Sequence, residues 1–364
     1  MLNGNRLVRL AVALCALAVG AQAETTNAPP SNPGADKAWA ELRQAMTPPP
    51  PPPAEWAGKE PTPEQADKFR AEQARLTGEA ADKAREFYTR FASDARTPEA
   101  RQTEWRMLET SVRLGNADRL ARLEELEQAR LKEPGVDENE RFAIRSRTIE
   151  RTALSHKKDG MAAVIESFEK GIRELQKEFP KRQEIYGMLM TVAENSPKAK
   201  ALALAKEIAA GAADPQLAAM AQLLSRRTEA LDKPLNLKVK AVDGREVDAA
   251  KLKGKVVLLD FWATRCPPCV ALTPTLKALY EKYQPKGFEI VGINSDESKA
   301  QMTKFLAQEK VAWPQYFDSG DARVGSRFGI YQIPSLWLVD KQGVVRDNQG
   351  VNDLEVKIQQ LLAE

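Results

Sequence analysis

Val256-Val257-Leu258-Leu259-Asp260-Phe261 is an apolar run broken by a single acid, too uniform for a strand with one wet face. Such a run belongs in a sheet covered on both sides. Trp262-Ala263-Thr264-Arg265-Cys266-Pro267-Pro268-Cys269 follows it, after which Leu272, Leu276, Leu279 and Tyr283 recur at helical spacing. The chain must therefore turn from buried strand to helix close to Cys266. A sulfur at that junction meets the unpaired amide N–H groups of the first helical turn and the positive end of the helix dipole, and both favour thiolate over thiol.

The chain has 364 residues and three cysteines. Residues 1–23 carry Arg6 and Arg9, then the apolar run Leu10 to Val19, then Ala21-Gln22-Ala23. That order predicts a secretory signal peptide, with an apolar run too short to span a bilayer. Cys15 lies inside it behind Leu14, not behind the small residue of a lipoprotein cleavage site, so Cys15 is expected to leave with the peptide. Without Arg6 and Arg9 the net charge of +3 falls to +1, which gives no electrostatic pull toward nucleic acid or a membrane surface. The predicted address is exported, periplasmic or otherwise extracytoplasmic.

One closely spaced cysteine pair in an exported chain of this size is not a disulfide scaffold, which needs several bridges in a small domain. A zinc site would need two further ligands, and the single histidine, His156, is far away in sequence. No metal and no other cofactor is expected. His156 sits in Ser155-His156-Lys157-Lys158, just ahead of Asp159-Gly160, where a cation caps a helix C-terminus. A cysteine-histidine hydrolase would have to bring His156 in from another domain. No Pro-x-x-x-Thr-x-x-Cys arrangement precedes Cys266, which argues against peroxidase chemistry of the peroxiredoxin type.

Composition divides the rest of the chain. Residues 24–60 contain the run Pro48 to Pro53 and are expected to be a Pro-rich, disordered, extended tether. Residues 61–231 are rich in Ala, Leu, Glu, Lys, Arg and Gln, with Thr62-Pro63-Glu64 as a helix start. Breaks at Thr97-Pro98, Gly115-Asn116, Pro134-Gly135, Asp159-Gly160, Phe179-Pro180, Ser196-Pro197 and Asp214-Pro215 predict about seven or eight helices, as a bundle or a stack of helical hairpins. A tetratricopeptide-like stack is one form this could take, although no strict repeat is present. From residue 232 to 364 the pattern alternates. A hairpin turns at Asp243-Gly244, buried strands lie at Val256 to Phe261, Phe288 to Ile293 and Ser335 to Val339, and helices are expected at Ser298 to Glu309, Ala322 to Phe328 and Leu354 to Leu362. This predicts a mixed sheet with helices on both faces.

Asp260 to Cys269, Pro274 five residues beyond Cys269, and Ile333-Pro334 ahead of a strand together resemble the thioredoxin superfamily, and within it the exported TlpA-like and ResA-like thiol-disulfide oxidoreductases. The resemblance covers the C-terminal residues 232–364 and implies an α/β thioredoxin-like fold there. It also implies a cis-proline at Pro334, beside a redox-active disulfide of Cys266 and Cys269. In the implied reaction Cys266 attacks a target disulfide and Cys269, one helical turn on, resolves the mixed disulfide. Asp260, desolvated in its strand, would carry the proton of Cys269.

Substrate contact is expected from Trp262, Arg265, Ile333 and Pro334. Ile333 would offer backbone groups to an extended segment, and Trp262 would pack under the active-site loop. Arg265 stands where the family usually has tryptophan and would lower the pKa of Cys266 if it lies near the sulfur. Pro267 and Pro268 act the other way by removing two amide donors. Two departures matter. The ResA-like members usually carry a glutamate at the position of Leu272, and the lysine that partners the buried acid in thioredoxins falls on Gly292.

The implied partners are disulfide-containing extracytoplasmic proteins and a membrane thiol electron donor; the helical region, by its size beside a complete catalytic module, is separately expected to select or hold a protein partner. A disulfide oxidase or isomerase, and a helical interaction protein with a thioredoxin-like docking module, are the alternatives.

Overall fold

The computed structural model describes residues 32–47, 53, 56, 61–320, 323–348, 350 and 353–364. The expected signal peptide with Cys15, and all of the polyproline run except Pro53, lie outside the described residues. By its internal contacts the chain divides into two compact units, one of residues 17–144 and one that contains residues 145–364. The division falls inside the helical stretch 61–231, between Ile144 and Arg145.

The first unit holds α1 (Pro33–Ala45), α2 (Pro63–Arg90), α3 (Thr97–Arg113), α4 (Leu120–Lys132) and the start of α5 (Glu138–Ser155). Helix α1 corrects the expectation that all of 24–60 is tether. Asn32 caps it, accepting from the Gly34 and Ala35 amides at 3.0 and 3.3 Å, and Pro33 takes the first helical position, where its missing N–H costs nothing. Ala35 and Leu42 are fully buried against Ala84, Phe87, Tyr88 and Ala100 of α2 and α3. Each large apolar side chain so buried contributes about 1.5–3 kcal/mol, and that burial keeps a short helix in place.

Helix α2 starts as expected, with a reciprocal capping box between Thr62 and Gln65 behind Pro63. The buried Glu104 of α3 accepts from Tyr88 Oη of α2 at 2.6 Å and from Arg122 Nε of α4 at 2.9 Å, tying three helices together. Leaving Glu104 without these partners would strand a buried carboxyl.

The second unit continues with α6 (Met161–Glu178), α7 (Glu184–Glu194), α8 (Lys198–Gly211) and α9 (Pro215–Ala230). The breaks expected from sequence all fall at helix ends, and Asp214 caps α9 by accepting from the Gln216 amide at 2.9 Å. Next come the hairpin strands β1 (Lys238–Lys240) and β2 (Glu246–Asp248), then β3 (Val256–Trp262), α10 (Pro267–Tyr283) and β4 (Phe288–Asn294). The chain closes with α11 (Lys299–Glu309), β5 (Gln315–Phe317), α12 (Val324–Arg327), β6 (Ser335–Val339), β7 (Val345–Asp347) and α13 (Leu354–Ala363).

The main sheet has the order β5-β4-β3-β6-β7, with β3, β4 and β5 parallel and β6 and β7 antiparallel to their neighbours. Strand β3 is central and buried along its whole length, as its apolar run requires. Because side chains alternate along a strand, Val257, Leu259 and Phe261 face one layer with Trp337, Leu237 and Val247, while Val256 and Leu258 face Leu276, Leu279 and Tyr283 of α10 and Ile358 of α13. The edge strand β5 has no counterpart among the expected elements. Ala230 and Leu231, at the end of α9, pack on the first of these layers, so the last helix before the sheet is joined to its core.

Candidate active site

The strand-to-helix junction is built as its sequence demands. Strand β3 ends at Trp262, and Cys266 is the N-cap residue of α10, with extended backbone at φ −101° and ψ 98°. Pro267 and Pro268 fill the first two helical positions and supply no N–H. The next residue does, and the Cys269 amide donates to Cys266 Sγ at 3.3 Å. The two sulfurs are bonded to each other, with their Cα atoms 5.2 Å apart. Both cysteines are buried in a cluster with Trp262, Ala263 and Met302, against which Phe305, Phe317, Val242 and Ile333 also pack. Met302 and Phe305 belong to α11, an element whose contact with the cysteine pair the sequence does not announce.

The loop ahead of Cys266 is fixed by a residue that sequence reasoning missed. Asp296, just past β4, has its side chain 1% exposed. Its carboxyl accepts from the Thr264 amide at 2.9 Å, from Thr264 Oγ1 at 3.0 Å and from Asn294 Nδ2 at 2.9 Å. Arg265, expected to serve the sulfur, instead donates to Ser295 O at 2.8 Å and stands 3.6 Å from Asp296 Oδ1. Its charge is matched by that carboxyl, which reduces what reaches Cys266. An Asn-Ser-Asp triplet at the end of a strand opposite the cysteine loop was the available signal.

Asp260 lies in the middle of β3 and is 6% exposed. Burial pushes its carboxyl up to about 7. It shares a strand face with Leu258, which packs on α10, so it lies on the side of the sheet that carries Cys269. Its register partner on β4 is Gly292, whose own partner on β5 is Gln315. A Cβ at Gly292 would overlap the Gln315 amide, which is itself buried. Gln315 Oε1 accepts the indole N–H of Trp262 at 2.9 Å, and Trp262 also packs on the Phe305 ring at a centroid distance of 5.2 Å. Trp262 is only 4% exposed, so it shapes the floor of the loop and offers little surface to a bound segment.

Ile333 and Pro334 are joined by a cis peptide bond, and Ile333 packs both on the cysteine cluster and on the sheet core. The structure thus gathers Cys266, Cys269, Trp262 and Ile333 in one cluster, with Asp260 on the strand beneath and Arg265 turned toward Asp296. Leu272 packs into the core on the α10 side. His156 lies in a 3-10 turn at the end of α5, with Nδ1 3.2 Å from Asp159 Oδ2. Among the described residues no group of three or more His, Cys, Asp or Glu side chains is assembled for a metal.

A family model described as Redoxin matches residues 224–362. The thiol-disulfide oxidoreductase ResA of Bacillus anthracis is 36% identical over 110 residues, which cover 30% of this chain and 63% of that protein. The thiol-disulfide oxidoreductase ResA of Bacillus subtilis is 31% identical over 118 residues, covering 32% and 65%. The C-terminal part of the chain is a thioredoxin-superfamily domain. The matched stretch spans just under two thirds of these relatives' length. Among solved structures, the thioredoxin domain of a thiol-disulfide oxidoreductase from Bacteroides vulgatus is 26% identical and covers 36% of this chain and 97% of that one, at a TM-score of 0.34. The thioredoxin domain found here carries its cysteine pair, Asp260 and the Ile333-Pro334 bond at the positions quoted from sequence, and the family match begins inside α9.

Proposed function

We propose that the chain is a thiol-disulfide oxidoreductase that reduces disulfides of extracytoplasmic proteins. The observation that supports this best is the Cys266 sulfur at the N-terminus of α10, bonded to Cys269 and receiving the Cys269 N–H. A sulfur in that position is stabilised as an anion and leaves or attacks readily.

In the reducing direction the Cys266 thiolate attacks one sulfur of the target disulfide. A bond forms between Cys266 and the target, and the other target sulfur departs as thiolate and takes a proton from water. Cys269 then gives its proton to the Asp260 carboxylate and attacks Cys266 Sγ, releasing the second target sulfur. The target gains two electrons and the pair returns to the disulfide. With its carboxyl near 7, Asp260 can take that proton and return it at neutral pH. A membrane-bound dithiol would supply the two electrons for the next cycle.

The address outside the cytoplasm rests on Arg6, Arg9, the apolar run Leu10 to Val19 and Ala21-Gln22-Ala23. The names of the relatives support the chemistry, and the helices of 61–231 are read as holding or selecting the partner protein.

The test is a trap. The Cys269→Ser variant, given a disulfide-bonded protein such as insulin, should accumulate a mixed disulfide at Cys266, and Cys266→Ser should accumulate none. Equal behaviour of the two variants would end the proposal. The direction follows from the reduction potential of the pair, and a value far above the thioredoxin figure of about −270 mV would assign it to oxidation.

A further inference from the structure

Residues 328–334 lead from α12 to β6 and set Ile333 beside the cysteine pair. This loop is gripped from two sides. On the sheet side the Phe328 ring packs on Trp337 and Phe261, at centroid distances of 5.3 and 6.4 Å. On the helical side Gly329, at φ +75°, comes so close to α9 that a Cβ would overlap Leu223 O and stand 2.7 Å from Arg227 N. Two residues on, the Tyr331 hydroxyl donates to Glu194, the last residue of α7, and the Arg227 guanidinium of α9 lies 5.2 Å from the centre of the Tyr331 ring.

The grip is chemically durable. Burial pushes the Tyr331 hydroxyl well above the ordinary phenol range, so it remains a donor at any working pH. Asn348 Nδ2 donates to Arg227 O at 2.6 Å, which anchors the same stretch of α9 to the segment after β7. Neither Glu194 nor Arg227 belongs to the machinery that two cysteines and a buried acid require.

We propose that Tyr331, clamped by Glu194 and Arg227, is a positioning residue that holds the 328–334 loop so that Ile333 presents its backbone to an extended, disulfide-bearing polypeptide. Helices α7 and α9 thereby take part in choosing the substrate, although neither contributes a residue to the apolar cluster around the sulfurs. The proposal rests on the thiol-disulfide reading above. A small disulfide meets the Cys266 sulfur and little else, whereas a polypeptide must also lie along Ile333, so the two kinds of substrate respond differently when the clamp is loosened.

The full chain, reduced beforehand, is assayed with insulin and with the small disulfide dithionitrobenzoate, as wild type, Tyr331→Phe and Glu194→Gln. With the reduced Cys266–Cys269 pair as the sole electron donor, the ratio of the single-turnover rate constant on insulin to that on dithionitrobenzoate should fall about tenfold in Tyr331→Phe, mostly through a higher half-saturating insulin concentration, because a hydrogen bond to a charged acceptor is lost at a positioning group. Glu194→Gln, which keeps an acceptor oxygen, should retain most of the ratio. Should Tyr331→Phe melt too early to assay, Glu194→Leu removes the same bond from the other partner and should lower the ratio likewise. An unchanged ratio in the variants beside an active wild type overturns the clamp alone. A wild type that reduces neither probe overturns the thiol-disulfide reading, and the clamp with it.

Discussion

Trp262 donates its indole N–H to Gln315 Oε1 at 2.9 Å, in space that is free only because position 292 carries no side chain. Gly292 faces Asp260 across β3 and β4, so the floor beneath the cysteine loop is an indole and an amide standing side by side. Replacing glycine by alanine inside a strand ordinarily gains about 0.5–1 kcal/mol. Here the sign reverses. Gly292→Ala should cost about 1–3 kcal/mol, since the Gln315 amide must move and a buried indole N–H loses its acceptor. Urea denaturation of the oxidised protein measures this, and a variant as stable as wild type would show that the amide moves aside freely.

The buried acid makes stability depend on pH. The Asp260 carboxyl is raised from 3.8 to about 7, so the folded protein holds a proton that the unfolded chain releases between those values. The stabilisation from this group is complete below about pH 4 and lost as pH rises to about 7, a change of up to about 4 kcal/mol at roughly 1.36 kcal/mol per pH unit. Asp260→Asn should remove that slope, so that denaturant midpoints of the oxidised variant gain on wild type as pH goes from 4 to 7. The same variant should resolve mixed disulfides more slowly, because Cys269 loses its proton acceptor. Parallel stability curves for the two proteins over that range would refute the assignment.

Asp296 braces the loop that delivers Cys266. Asp296→Ala leaves the Thr264 amide and the Asn294 amide without the acceptor they share, and should cost about 3 kcal/mol. Asp296→Asn keeps an acceptor and should cost clearly less. Denaturation of the two oxidised variants gives the comparison. Equal, small losses would mean that the loop is held by its backbone bonds alone, such as the one from the Cys266 amide to Ala263 O.

What could be read from the sequence was what lies close together along it. The strand from Val256, the turn at Asp243-Gly244, the helix breaks and the Ile333-Pro334 corner are each carried by adjacent residues, and the structure has them where the pattern puts them. Strand β5 escaped because it has three residues behind Pro314, too few for alternation to register. Helix α1 escaped because the abundance of proline around it hid the capping value of Asn32-Pro33.

The same limit applies to the site. Cys266, Cys269 and Asp260 sit within ten residues of one another, whereas Trp262 meets Gln315 53 residues on, Thr264 meets Asp296 32 residues on, and Tyr331 meets Glu194 137 residues back. The sequence placed the charge of Arg265 beside the nucleophile's backbone, but only the folded chain reveals the Asp296 carboxyl that stands against it.

The seam at Gly329 also limits where this polypeptide can be cut. A fragment that begins at Pro234 has the whole sheet, yet it uncovers the apolar patch on which Ala230 and Leu231 rest and strips the loop of the backbone that Gly329 was shaped to meet. A piece cut so as to keep both contacts would reach back through α9, to Pro215.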